Sequence, residues 1–140
     1  MKIFLDANII IDLLDKPNYE HELATEVVRI IRLIKQPIFI SPTTFAIAYY
    51  IFSKRNKGKA NVRIILLSFF KFFTFTSENA AVMKNVLSSN FIDLEDALQY
   101  YSALDSGVQL IITKNKKDFI QSKNIKVLHP SEFIEMHYNN

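Results

Sequence analysis

The chain has 140 residues, of which 49% are hydrophobic and 13% aromatic, so it is expected to fold as one domain over residues 1–140 and not to be disordered. It contains no cysteine, which excludes disulfide bonds and thiolate metal sites. The net charge is +3, and no apolar run reaches the roughly 20 residues of a membrane span, so a soluble, cytoplasmic protein is expected.

The predicted elements alternate between strand and helix. The N-terminus reads as a buried strand over residues 2–5 followed by a turn, and residues 15–18 break the chain. Asp12 and Asp15 are therefore expected in a loop or at a helix end. Helical spacing and turn signals predict helices over about residues 19–35, 42–54, 60–73, 78–88, 93–106 and 130–138, and strands over residues 37–40, 72–76, 108–113 and 124–129.

This alternation predicts an α/β fold, a three-layer α/β/α sandwich with a central, mainly parallel sheet of four to five strands. Ser41 and Ser77 are expected to cap the helices that follow them, and Gly107 to end the helix before it. That helix begins at Asp93. It is about as long as the strand that it feeds, roughly 20 Å, so its N-terminus is expected at the edge where the strands end.

Three separate segments bring carboxylates to this edge. Asp6 follows the first strand, Asp118 follows the strand that ends at Thr113, and Asp96 lies in the first turn of the helix that begins at Asp93. Open α/β sheets bind ligands at the carboxyl ends of their strands. Clustered carboxylates raise one another's pKa unless a cation neutralises them, and oxygen ligands favour Mg²⁺ or Mn²⁺. Such an ion can polarise a phosphodiester and activate water for hydrolysis.

Each acid also has a structural interpretation. Asp6 can form a turn, Asp93 is expected mainly as a helix N-cap, and Asp118 can anchor an ordinary loop. Apolar residues on both sides of Asp6 favour a site residue at that position. Glu95 lies about 100° around the helix from Asp96 and is expected in solvent.

Several segments resemble the PIN domain, a fold of metal-dependent ribonucleases. "FLDANIIIDLL" is similar to its first strand, and "DLEDALQYYSALDSGVQLIITKNKKDF" resembles a bacterial PIN subfamily in its Asp-x-Glu-Asp-Ala start, its Tyr-Tyr-Ser-Ala helix and its Thr-x-Asn…Asp-Phe loop. The ending "VLHPSEFI" fits as well, so the resemblance covers almost the whole chain. It implies that Asp6 and Asp96 bind metal directly, that Asp118 supplies the later acid, and that Asn8 and Thr113 shape the site.

Two positions depart from the family pattern. Many PIN nucleases have a glutamate early in the helix after the second strand, where this chain has Ile47, and an aspartate where it has Asn115. Asp118 can compensate for the second change, and the subfamily resembled also tends to lack the glutamate.

Two functions stay open: a metal-dependent endoribonuclease with an incomplete acidic site, or a weakened or inactive RNA-binding or interaction module. A haloacid-dehalogenase-type phosphatase that uses Asp6 as nucleophile ranks last, because Asn8 cannot protonate a leaving group.

The charge pattern and the resemblance also suggest partners. Residues 27–77 contain nine Lys or Arg and no acid, which suits RNA or, equally, a solvated surface. Phenylalanines between residues 69 and 75 suggest a buried dimer surface. Small bacterial PIN proteins are often toxins, so the resemblance implies a toxin–antitoxin role with a cognate antitoxin. The candidates for phosphate contact are Lys114, Lys116 and Lys117 beside the site, and Lys54 and Arg55 in a basic turn.

Overall fold

The computed structural model describes residues 1–57 and 61–139 and shows one five-stranded sheet. The strands are β1 (Ile3–Leu5), β2 (Ile38–Ile40), β3 (Phe73–Phe75), β4 (Leu110–Ile112) and β5 (Lys126–Leu128). Their order is β3-β2-β1-β4-β5, and every neighbouring pair is parallel. The predicted α/β class is therefore confirmed, with a sheet that is parallel throughout.

Helices cover both faces of this sheet. They are α1 (Ala7–Leu14), α2 (Tyr19–Leu33), α3 (Pro42–Arg55), α4 (Val62–Phe70), α5 (Ala80–Leu87), α6 (Leu94–Asp105) and α7 (Pro130–Tyr138), with a 3₁₀ turn over Lys116–Phe119. Alternate residues of β1 enter opposite cores, because successive side chains of a strand point to opposite faces. Ile3 and Leu5 pack in one apolar cluster with Phe133, while Phe4 packs in the other with Tyr100. Within the described residues, no helix has the length and hydrophobicity needed to cross a membrane.

Helix α1 corrects the expectation of a turn after the first strand. It has only eight residues, and its Ile9, Ile10 and Ile11 are all buried, so in the sequence this short apolar run does not distinguish a helix from a buried strand or turn. Asp12 was expected in a loop or at a helix end. It lies in the last turn of α1 and is buried there, and Asp15 ends the helix as its C-cap, so both are at the helix end as expected.

The ends of the other helices follow local hydrogen bonding. Ser41 caps α3, and Gly107 follows α6 with a φ of 75°, both as predicted. Asn79, and not Ser77, caps α5, because the Asn79 side chain accepts from the Val82 N–H at 3.0 Å. A basic turn was predicted over residues 53–59. Residues 53–55 of this segment belong to α3, which ends at Arg55, and residues 58 and 59 lie outside the described residues.

Candidate active site

Asp6 is the most deeply placed acid of the structure. It follows β1 in the centre of the sheet, and its N–H donates to the Ile112 carbonyl of β4 at 3.0 Å. Only 5% of the residue is exposed. The parallel register of β1 and β4 thus fixes the backbone of Asp6 at the carboxyl edge of the sheet.

Both oxygens of the Asp6 carboxylate accept hydrogen bonds. Oδ1 accepts from the Ala7 N–H at 2.6 Å and from Gln99 Nε2 at 3.0 Å. Oδ2 accepts from Thr113 Oγ1 at 2.7 Å and from Asn8 Nδ2 at 3.0 Å. Burial raises the pKa of Asp6, the hydrogen bonds from Thr113, Gln99 and Ala7 oppose that rise, and the charge of Asp118 adds to it.

The acids predicted from three segments line one open cleft beside Asp6. Its acidic lining consists of Asp6, Asp93, Glu95, Asp96 and Asp118. Its remaining lining consists of Ala7, Asn8, Ile11, Ile47, Ile51, Gln99 and Asn115. No Lys, Arg or His is among these described lining residues, so no basic side chain in the lining neutralises the carboxylates.

The pKa of Asp96 is raised from 3.8 to about 7. Partial burial is the largest cause, followed by the charges of Asp6, Asp93, Asp118 and Glu95. Asp93 acts as the predicted N-cap of α6, accepting from the Asp96 N–H at 2.9 Å, and it also lines the cleft. Glu95 is exposed as expected, yet it lines the same cleft and adds to the pKa shift of Asp96.

The two positions that depart from the PIN pattern also line the cleft. Ile47 of α3 is half-buried there and brings no ligand atom. Asn115 is exposed, and its N–H donates to Thr113 Oγ1 at 3.0 Å, so it supports the residue that holds Asp6. Asp118 lies in the 3₁₀ turn that follows and is half-buried.

This donor set suits an oxygen-preferring divalent cation that keeps part of its water shell. Several carboxylates raise the pKa of Asp96, and a cation would relieve their repulsion. Within residues 1–57 and 61–139, however, no three acidic or histidine side chains lie close enough together to hold a metal ion by themselves. Mg²⁺ commonly binds through one or two carboxylates and retains several waters. Asp6, Asp96 and Asp118 would hold such an ion from the wall of the cleft.

The predicted phosphate-binding residues differ in how far their charges are already neutralised. Lys114 Nζ lies 2.7 Å from Asp12 Oδ2, and Lys116 Nζ lies 2.9 Å from Glu132 Oε1. Arg55 pairs with Asp15 at 3.1 Å, and Lys54 Nζ donates to the hydroxyl of Tyr50 at the same distance. Lys117 is exposed and makes no ion pair with any described residue. RNA contact by these five residues stays a prediction.

Sequence reasoning missed Gln99 and Thr44, which lie behind Asp6. Gln99 is 1% exposed, and its side chain contacts both Asp6 and Thr44. The available signal was a glutamine three residues after Asp96, on the face of α6 that also carries the buried Ala103. A polar residue on a buried helix face needs partners, and those partners are acids or hydroxyls near the sheet edge.

The sequence matches a known protein family and a named relative. The family model described as "PIN domain" matches residues 3–124. The chain is 32% identical over 138 residues to Ribonuclease VapC1 of Aquifex aeolicus (strain VF5), covering 96% of this chain and 94% of that protein.

Two solved structures share the fold at lower identity. VapBC2 of Rickettsia felis, bound to a DNA fragment from its promoter, has a TM-score of 0.68 at 18% identity and covers 92% of this chain and 98% of its own. VapC20 of Mycobacterium tuberculosis, a toxin that cleaves the sarcin–ricin loop, has a TM-score of 0.62 at 15% identity and covers 79% and 87%. By its sequence match and its fold, the chain belongs to the PIN domain family.

Proposed function

We propose that this protein is a metal-dependent endoribonuclease that hydrolyses RNA phosphodiester bonds in the cytoplasm. The observation that carries the proposal is the acidic cleft: Asp6, Asp96 and Asp118 come from three segments to one sheet edge, with no basic side chain in the described lining. The relative named a ribonuclease supports the same activity. Mg²⁺ or Mn²⁺ is the proposed cofactor, because the ligands are oxygens only.

The three acids have different proposed roles, which follow from their surroundings. Asp6 is held by four hydrogen bonds and is a ligand of fixed orientation. Asp96 has a pKa of about 7 in the metal-free cleft, and a bound cation would favour its ionised form, so it is the proposed second ligand. Asp118 lies in the 3₁₀ turn after β4, lines the same cleft and supplies the third carboxylate. A divalent cation supplies polarisation of the phosphodiester and activation of water.

Lys117 is the leading candidate for RNA contact. It is exposed, makes no ion pair within the described chain, and precedes Asp118 directly. A lysine there would bind a phosphate of the substrate while the acid faces the cleft. Lys54 and Arg55, at the end of α3, form a second basic group that would extend the RNA path.

The protein is further proposed to be the toxin of a toxin–antitoxin pair and to form a homodimer. Several of the structurally similar proteins are VapBC complexes. Helix α4 exposes Ile64, Leu67 and Phe70 by 63%, 71% and 52% of their surfaces. An exposed apolar helix face of this kind is typical of a protein–protein interface, and the antitoxin or a second copy would cover it.

Cleavage of labelled single-stranded RNA tests the proposed activity. Purified wild type is compared with Asp6→Asn and Asp96→Asn in Mg²⁺, Mn²⁺ and EDTA, with Asp105→Asn on the same helix as a matched control. Metal-dependent cleavage by wild type and the control, lost in both site variants, is the expected result. RNA binding that all four proteins retain without cleavage would instead identify a non-catalytic RNA-binding module.

A further inference from the structure

Gln99 is a buried amide that touches the acidic site. It lies on α6 one turn beyond Asp96 and is 1% exposed. Burying an amide costs free energy unless its N–H and C=O groups form hydrogen bonds. Both ends of this amide have partners: Nε2 donates to Asp6 Oδ1 at 3.0 Å, while Oε1 accepts from the Thr44 hydroxyl at 2.9 Å and from the Ala7 N–H at 3.2 Å.

The neighbours of Gln99 determine which way its amide faces. The Ala7 N–H can only donate. The Thr44 hydroxyl accepts from the Ser41 N–H at 3.1 Å and lies 3.0 Å from the Ser41 hydroxyl, which can donate to it. Its own proton is then available to Gln99 Oε1 at 2.9 Å. Two donors therefore hold the oxygen end of the amide, and the NH₂ end must face Asp6.

This orientation completes the set of donors around Asp6. Gln99 and Ala7 occupy Oδ1, and Thr113 and Asn8 occupy Oδ2. Each of the two carboxylate oxygens therefore accepts two hydrogen bonds, and a cation bound by Asp6 would take the place of one of these donors. Rotation of the carboxylate would break several of these hydrogen bonds at once. The plane of the Asp6 carboxylate is thereby fixed.

We propose that Gln99 is a positioning residue that fixes the orientation of the Asp6 carboxylate, an inference that rests on the function proposed above. Through its hydrogen bond with Thr44, the uncharged Gln99 side chain also connects α3 to the acidic site. Helix α3 contributes Ile47 to the cleft where many PIN nucleases have a glutamate. Its link to the site is instead the Thr44 hydroxyl, three residues earlier on the same helix. The side chain that links α3 to Asp6 is therefore the neutral amide of Gln99, which donates to the Asp6 carboxylate.

Variants that remove or keep the hydrogen bonds test this role. Gln99→Met keeps the length of the side chain and removes its polar atoms. Thr44→Val removes the hydroxyl, and Thr44→Ser keeps it. Ser102→Ala is the control, because Ser102 is also buried on α6 and accepts from the Thr76 hydroxyl at 2.9 Å. Its hydroxyl donates to the backbone carbonyl of Gln99 at 3.1 Å but makes no hydrogen bond to the Gln99 amide side chain or to Asp6.

The readout is the affinity for Mn²⁺, measured from the electron paramagnetic resonance signal of the free ion, with folding checked by thermal melting. Loss of a residue that orients a metal ligand commonly lowers metal affinity about 10–100-fold. A decrease of about that size is expected for Gln99→Met and a smaller decrease for Thr44→Val. Thr44→Ser and Ser102→Ala are expected to match wild type.

Each result either supports or overturns the proposed role of Gln99. Wild-type affinity in a folded Gln99→Met protein would overturn it. If Gln99→Met fails to fold, the test is the comparison of Thr44→Val with Thr44→Ser. Equal Mn²⁺ affinities of these two variants would also overturn the proposed role.

A second readout separates this inference from the proposed function. If wild type neither binds Mn²⁺ nor cleaves RNA, the proposed ribonuclease activity fails. The role of Gln99 in fixing Asp6 is then decided by hydrogen exchange of the Gln99 side-chain NH₂ group, followed by NMR. Slow exchange in wild type and Thr44→Ser, lost in Thr44→Val, supports the hydrogen-bonded arrangement, whereas fast exchange in wild type overturns it.

Discussion

Replacing Asp96 by Asn is expected to stabilise the metal-free protein at neutral pH and to change its pH dependence. The pKa of this carboxyl is raised from 3.8 to about 7, chiefly by partial burial and by the charge of Asp6. A native state with a raised carboxyl pKa holds more protons than the unfolded state between these two values. The free energy of unfolding therefore falls as pH rises from about 4 to about 7.

The size of the effect follows from the same shift. A change from 3.8 to about 7 corresponds to roughly 4 kcal/mol of destabilisation above pH 7. Asp96 is only half-buried, so solvent screening reduces this to about 2 kcal/mol. Its position in the first turn of α6 contributes a favourable helix-dipole interaction of about 0.5 kcal/mol, which the variant loses. A net gain of about 1.5 kcal/mol is expected at pH 8, and little change at pH 4.

Urea denaturation of EDTA-treated protein between pH 4 and pH 8 measures this difference. Asp105→Asn, at the exposed end of the same helix, is the control and is expected to differ from wild type by less than about 0.5 kcal/mol at each pH. Parallel stability curves for wild type and Asp96→Asn would refute the account of the cleft as a set of repelling carboxylates.

Two further substitutions probe the surroundings of the cleft. Lys114→Met is expected to lower the free energy of unfolding by about 2 kcal/mol, because it leaves the buried carboxylate of Asp12 without its cation. Exposed Lys117→Met is the control in the same urea denaturation, and an equal loss in both would contradict this assignment. Ile47→Glu is expected to raise Mn²⁺ affinity roughly tenfold by adding a carboxylate to the cleft. Unchanged affinity relative to Ile47→Gln in a Mn²⁺ titration would show that this position does not reach the ion.

The topology of the site was predictable because it depends on strand order and chain direction. Parallel strands end at one edge, and a helix as long as its strand returns to that edge. These two facts bring Asp6, Asp96 and Asp118 together before any side chain is placed. The N-cap of α6 by Asp93 was also predictable from the sequence, because an aspartate before the first turn of a helix accepts hydrogen bonds from its free N–H groups.

What the sequence did not reveal depends on contacts between distant segments. Helix α1 has only eight residues and is buried on nearly all sides, so its short apolar run does not distinguish a helix from a strand or turn. The pairing of Lys114 with Asp12 joins residues about a hundred positions apart, and it neutralises a lysine that had been assigned to RNA. Gln99 acquires its importance only from its partners Thr44, on α3, and Asp6, which follows β1.

The most direct test of the central claim is a Mn²⁺ titration in which ion binding and RNA cleavage are followed on the same protein sample. The acidic cleft predicts that the cleavage rate rises in proportion to the occupied fraction of the site, and that Asp6→Asn weakens binding and cleavage together. Cleavage that persists in EDTA, or that is unaffected when Asp6→Asn has lost the ion, would contradict it.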